Sequence, residues 1–231
     1  MQQLALSSIE NSLIDEISSS RNEPNWLKEY RNSALSIYQE LPSEVSPLYS
    51  KYTDAKRMNP EQVSLSINTD SKIPEFLTKR IDEVKNQTSI IQIGSNIHSV
   101  NLSDKLQSSG VIISSINDAL AQNNEIVEKV IKSSNSKEDK YTALNNAAFN
   151  TGLFVYIPKN LIIEEPIHLL SCLSEDGIST VSRNLIVAED NTKATIVQEL
   201  YSPKIQTQQA YLELLNTSVG SNSNLDLTTL Q

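Results

Sequence analysis

The chain has 231 residues, 38% of them hydrophobic and 5% aromatic, with a formal net charge of -9. That is enough apolar material to bury one large core or two modest ones, packed chiefly by aliphatic side chains. The acidic balance and the lack of any local Lys/Arg cluster argue against a nucleic-acid partner, because phosphate contact needs a basic stripe. Cys172 is the single cysteine, so no intrachain disulfide can form and nothing points to an oxidising compartment. No Lys or Arg precedes Arg21, so the basic region of a signal peptide and the Arg-rich face of a transit peptide are both missing. No apolar run approaches the ~20 residues needed to cross a bilayer. The expected setting is cytoplasmic, with no membrane partner.

Leu6, Ile9, Leu13 and Ile17 recur at steps of three and four, which places them on one helical face. A second helix follows, with Asn22 as a possible cap and Pro24 pre-set for the first turn. Its stripe runs Leu27, Tyr30, Ala34, Ile37 or Tyr38, and Leu41, and Pro42 stops it. Residues 43–72 read as a connector with one strand at Val63–Ile67. Pro74 opens a third helix carrying Phe76, Leu77, Ile81 and Val84. Ser89–Ile93 and Gly110–Ile113 read as buried strands, and Ile97, Val100 and Leu102 are too irregular to assign. Asp118 is placed to cap a helix over Ala119–Lys132. The ordinary meaning of each stripe is core packing, and nothing in this half demands a ligand.

The polar break Ser133-Ser134-Asn135-Ser136 marks the expected boundary between two domains. Residues 1–138 would form a mixed helical and α/β domain, and residues 139–231 a β-rich one. From Gly152 onward the apolar residues come in β-type runs: Leu153–Ile157, Pro166–Leu173, Thr180–Ala188, Ala194–Tyr201, Ala210–Asn216 and Leu225–Leu230. Their centres recur at roughly a dozen to sixteen residues. Ile167, Leu169 and Leu173 share one face by alternation, as do Val181, Leu185 and Val187. Phe154 and Tyr156 share a face of the first run. No helical pattern separates these runs, which disfavours a doubly wound sheet. An antiparallel sandwich and a β-solenoid both fit. Asp176-Gly177 is the single tight hairpin signal, and that scarcity favours the solenoid.

Several stretches resemble the SufB/SufD family. The first is Glu23-Pro24-Asn25-Trp26-Leu27-Lys28-Glu29-Tyr30-Arg31 with Ala34-Leu35 and Leu41-Pro42. The second is Lys140…Ala143-Leu144-Asn145…Ala147…Gly152 through Lys159, followed by Glu165-Pro166-Ile167. The third is Arg183–Ala188, followed by Ala194–Glu199. The form of Lys140-Tyr141…Ala143-Leu144-Asn145, and Pro47-Leu48-Tyr49…Lys51-Tyr52-Thr53, resembles the SufD branch more than the SufB branch. The resemblance implies an α+β N-terminal region and an all-β right-handed parallel β-helix, with Ala143, Leu144 and Ala147 as a short plug on its end. It also implies a non-enzymatic scaffold of the iron–sulfur cluster assembly machinery, paired with a SufB-like paralogue and a SufC-like ABC ATPase, as a homo- or heterodimer. The cluster would belong to the assembled complex. The chain corresponds to roughly the N-terminal half of a family member and stops at Gln231 inside the expected solenoid. The family's cluster-related residues and ATPase-binding segment lie further on, so no catalytic, cofactor-binding or metal-binding residue is carried over. An open last coil would also leave unpaired strand edges and favour self-association.

Cys172 and His168 are the residues to weigh for metal chemistry. Four residues of extended strand separate their backbones by roughly 13 Å. Two ligands of one ion, each within roughly 2.0–2.3 Å of it, must lie much closer than that. A lone cysteine is more often a small buried apolar residue. His98 has no partner at ligand spacing. The acidic pairs Glu164-Glu165, Glu175-Asp176 and Glu189-Asp190 fall between expected strands and read as solvated turns. Stacked into one groove they would instead suit calcium or glycoside chemistry, and the alternative is therefore a solenoid that binds or cleaves polysaccharide. No glycine-rich phosphate loop or nucleophile elbow occurs. Any ATP hydrolysis is expected from a partner.

Overall fold

The computed structural model describes residues 4–5, 9–42, 64–65, 72–134, 138–174, 178–204, 206 and 208–231. The stretch Pro47–Thr53, most of the expected 63–67 strand, Asn135-Ser136, and Glu175-Asp176 with Gly177 lie outside the described residues.

A short pair opens the fold, β1 (Leu4–Ala5) running antiparallel to β2 (Ser64–Leu65). Helix α1 (Asn11–Ser20) buries Leu13, Ile14 and Ile17 and ends in a left-handed turn at Asn22, φ 50°. Glu23 N–H donates to Ser18 O at 3.0 Å and Asn22 N–H to Ser19 O at 3.4 Å, which satisfies the last carbonyls of the helix. Asn22 thus closes α1 and does not cap the next helix. Helix α2 (Asn25–Glu40) starts one residue after Pro24, the extended residue at its cap position. It buries Leu27, Ala34 and Leu35, and also Arg31, which the apolar stripe did not include.

Helix α3 (Glu75–Val84) follows Pro74 as expected, and is followed by β3 (Ser89–Ile93) and β4 (Asn96–Asn101). The irregular pattern across β4 belongs to an edge strand with His98, Ser99 and Val100 exposed. After α4 (Asp104–Ser108), Gly110 turns at φ 86° and β5 runs from Ile112 to Ser115. The expected single helix over 119–132 is two, α5 (Ile116–Gln122) and α6 (Asn124–Ser133), broken at Asn123. Ser115 is the cap of α5, accepting from Asp118 N–H at 3.0 Å and donating to Asp118 Oδ2 at 2.6 Å. Helix α7 (Lys140–Ala148) is capped by Asp139, whose Oδ1 accepts from Tyr141 and Thr142 N–H at 2.7 and 2.8 Å.

The remaining strands are β6 (Leu153–Ile157), β7 (Ile167–Cys172), β8 (Thr180–Ala188), β9 (Lys193–Tyr201), β10 (Tyr211–Val219) and β11 (Asn224–Leu230). They alternate between two sheets. One has the order β10-β8-β6-β5 and the other β11-β9-β7-β3-β4. Pairs among β6, β8 and β10, and among β3, β7, β9 and β11, are parallel, whereas β5 and β4 pair antiparallel at the far edges.

The expected α+β region followed by an all-β right-handed parallel β-helix is therefore corrected to a mixed α/β fold with parallel and antiparallel pairing. Helix α7 lies within the stretch read as all-β, and the front-half strands β3, β4 and β5 are members of the same two sheets as the later ones. Spacing of apolar runs locates strands but carries no information about which strand pairs with which. The front-half runs were too few to show a period of their own.

Three apolar clusters result. The largest packs α1, α2, α5, α6 and α7 on the outer face of the four-stranded sheet, with Ile14, Leu27, Ile131, Leu144, Phe154, Val181, Leu185 and Val187. Tyr156 packs there too, so Phe154 and Tyr156 share a face as the alternation required. The second fills the space between the sheets with Ile90, Val155, Ile167, Leu169, Ile186 and Ile196. The third lies beneath α3.

Pairing repeats at 31 residues between β6 and β8, β8 and β10, and β9 and β11, and at 29 between β7 and β9. Asn191 Nδ2 donates to Asn160 Oδ1 at 2.9 Å and Asn222 Nδ2 to Asn191 Oδ1 at 3.0 Å, each 31 residues apart. All three asparagines sit in the left-handed region, at φ 62°, 58° and 57°, which Asn tolerates better than most residues. The same interval separates Leu153 N–H from Asn184 Oδ1 and Thr229 Oγ1 from Gln198 Oε1.

Candidate functional site

Cys172 and His168 both lie on the outer face of β7, at 2% and 8% exposure. The Cys172 thiol donates to Leu173 O at 3.3 Å and packs in the cluster under α3. His168 meets Glu199, which the sequence brought forward only as the end of the Ala194–Glu199 stretch. Parallel pairing sets β9 beside β7, and His168 Nδ1 stands 3.5 Å from Glu199 Oε1. Arg80 on α3 grips Glu199 with both arms of its fork, Nε to Oε2 at 2.9 Å and Nη2 to Oε1 at 2.7 Å. The Tyr201 hydroxyl donates to Glu199 Oε2 at 2.6 Å.

Burial alone would raise the Glu199 carboxyl, but the bonds from Arg80 and Tyr201 outweigh it and hold the group below the ordinary glutamate range. Burial and the adjacent carboxylate push the Tyr201 phenol up to about 12. Every donor here favours a fixed, ionised carboxylate. The chemistry of the constellation is that of a clamp joining α3 to β9. Among the described residues no group of three or more His, Cys, Asp and Glu side chains comes together to hold a metal ion.

The other sequence candidates are dispersed. His98 is exposed on β4. Glu164 and Glu165 border a groove of about 410 Å³ with Asn86, Asn101 and Lys105. Glu189 and Asp190 lie along a different groove, of about 320 Å³, between α6 and the ends of β8 and β10. Asp190 accepts from Lys159 Nζ at 3.1 Å and from Ser221 N–H at 2.8 Å, and those bonds lower its pKa. The two described acidic pairs do not share one groove.

A second feature joins the motif stretches to one another. Arg31 is fully buried and donates to Glu23 at 2.9 and 2.7 Å, to Ala147 O at 3.0 Å, and lies 3.7 Å over the Phe149 ring. Arg183, also fully buried, donates to Asn146 Oδ1 and to Ser134 Oγ, the latter at 2.9 Å. Arg21 donates to Asn117 Oδ1 and to Asn150 O. Burial first, and repulsion from Arg31 after it, lower the pKa of Arg21 and of Arg183 to about 10, so each remains a cation at neutral pH.

Lys140 Nζ closes the same assembly by donating to Tyr38 O at 2.8 Å and Leu41 O at 2.6 Å, which satisfies the end of α2. Gly152 belongs to it through contact distance, because a Cβ there would lie 1.9 Å from Arg183 O. The three motif stretches around residues 23–31, 140–152 and 183–184 thus converge on one buried polar node. Helix periodicity could not reveal Arg31 or Arg183 as core residues, since both are charged. The available signal was that Arg31 closes the Glu23–Arg31 stretch and Arg183 opens the Arg183–Ala188 stretch.

A third polar region runs between the sheets beyond the aliphatic cluster. Glu213 accepts from Asn184 Nδ2 at 3.0 Å and from Gln198 Nε2, and Thr229 donates to Gln198. It adjoins a cavity of about 350 Å³ lined by Ser171, Leu173, Leu200, Tyr201, Ser202, Tyr211 and Gln231. Burial and the Glu213 charge raise the Tyr211 phenol.

The motif stretches of this mixed α/β fold thus meet in one buried polar node. The SufBD protein N-terminal region matches residues 11–169, and the chain belongs to the SufBD family. An iron-sulfur cluster assembly SufBD family protein of Staphylococcus aureus (strain USA300) is 22% identical over 235 residues, covering 95% of this chain and 50% of the relative. Proteins so described from Staphylococcus aureus (strain MRSA252) and Staphylococcus haemolyticus (strain JCSC1435) are 21% identical with the same coverage. The chain spans about half the length of the curated relatives it matches.

Proposed function

We propose that the chain acts in iron–sulfur cluster assembly as part of a non-enzymatic scaffold of the SufD type. The observation that carries this reading is the match of the SufBD N-terminal region over residues 11–169, within which the Glu23–Arg31 and Lys140–Gly152 motifs meet in one buried node. The relatives named for iron-sulfur cluster assembly support the process. The form of the Lys140–Asn145 motif favours the SufD branch. The scaffold works beside a SufB-like paralogue and a SufC-like ABC ATPase, which supplies ATP hydrolysis, and the cluster resides in the assembled complex. The cytoplasm is its setting. No described helix is long and apolar enough to cross a membrane.

Depleting the protein in its source cell tests the reading. The activity of iron–sulfur enzymes should fall and recover on re-expression, while enzymes without clusters stay unchanged. Unaltered cluster-enzyme activity after complete depletion would remove the proposal.

A further inference from the structure

We infer that α3 is a cover that opens on its own, held over the outer face of β7 and β9 by its bonds to Glu199. Its ten residues bury Leu77 and Val84, with Ile81 partly buried beside them, against Ile91, Ile93, Leu170 and Cys172. That cluster is separate from the two larger ones, so α3 lifts without dismantling either. Phe76 on the same helix is 52% exposed, with its ring 6.4 Å from that of Tyr201. No side chain caps the N-terminus of α3. To this small apolar contact the Arg80 fork on Glu199 adds two charge-assisted bonds that hold the helix down.

Beneath it lie an imidazole, a carboxylate and a thiol along two adjacent strands. His168 Nδ1 faces Glu199 Oε1 at 3.5 Å. Closed, α3 keeps His168, Glu199 and Cys172 from solvent. Open, it presents all three on one face.

Cys172 is the only cysteine, so its alkylation by N-ethylmaleimide reports this face alone. Trp26, the only tryptophan, sits on α2 against the largest cluster and reports global unfolding. In the unaltered chain, labelling should proceed through an opening that is more frequent than global unfolding and only weakly dependent on urea. Arg80→Gln should raise the labelling rate about ten- to a hundredfold, the range expected for losing charge-assisted bonds. Glu199→Gln should act in the same direction. Labelling of the unaltered chain that follows Trp26 unfolding in both frequency and urea slope would overturn the inference, and this holds even if both variants fail to fold. An unchanged rate in a folded Arg80→Gln variant would overturn it equally.

Discussion

Replacing Arg31 with Met tests the buried node most severely. Methionine keeps an unbranched stem but deletes the guanidinium. The Glu23 carboxylate, 1% exposed, then loses bonds of 2.9 and 2.7 Å, and the Ala147 carbonyl loses a 3.0 Å donor. Phe149 also loses the cation over its ring. Removing one member of a buried ion pair costs about 3–5 kcal/mol, because the other charge stays buried without compensation. Total stabilities are about 5–15 kcal/mol, so Arg31→Met removes a large fraction of the whole. At about 2–4 °C per kcal/mol for a chain of this size, the Tm should fall by roughly 6–20 °C.

Urea unfolding followed by Trp26 fluorescence and far-ultraviolet circular dichroism measures the loss. Glu23→Gln should cost a similar amount, since it leaves Arg31 cationic beside Arg21 and Arg183. The double variant Glu23→Leu/Arg31→Met should recover part of the loss, because neither partner is then left charged and alone. A loss below about 1 kcal/mol for Arg31→Met, the range of exposed pairs, would refute the reasoning.

Gly152→Ala should destabilise by about 3 kcal/mol or more in the same urea assay, because the new methyl would lie 1.9 Å from a backbone oxygen that cannot rotate away. Asn191→Ala should cost about 2–4 kcal/mol, combining the left-handed backbone penalty with two lost ladder bonds. Asn191→Gly keeps the backbone conformation and should cost less than the alanine variant; the reverse order would remove backbone strain from the account. Glu199 titrates below its ordinary value near 4.5 in the folded chain. Its contribution is therefore present above that pH and lost as pH falls through the folded value. Stability measured from pH 7 to pH 3 should drop less steeply for Glu199→Gln than for the unaltered chain, and equal slopes would contradict the clamp.

The sequence carried local structure well where one residue type dominates the backbone. The bounds of β6 follow from an uninterrupted apolar run, those of β3 and β8 from apolar runs that Gln92 and Ser182-Arg183-Asn184 interrupt, and α3 follows from Pro74. Asn123 interrupts α5 and α6 without a glycine or proline, so the break was not legible from apolar periodicity. Sheet membership was lost because alternation assigns a face but no neighbour. The asparagines at 160, 191 and 222 did contain the 31-residue repeat, hidden by treating Asn as a generic turn residue. At the clamp, His168 and Cys172 were visible as residue types. Their real neighbours Glu199 and Arg80 come from a strand 29 residues on and a helix far earlier, and only the register brings them together.

The most direct test of the account is to co-express the chain with the SufB-like scaffold and the SufC-like ABC ATPase of its source cell and purify through a tag on the chain. Size-exclusion chromatography with light scattering then gives the mass of what was captured. The proposed function predicts a stoichiometric complex containing the paralogous scaffold, through which any ATPase present is held. Elution of the folded chain alone, with both candidates expressed and soluble, would contradict it.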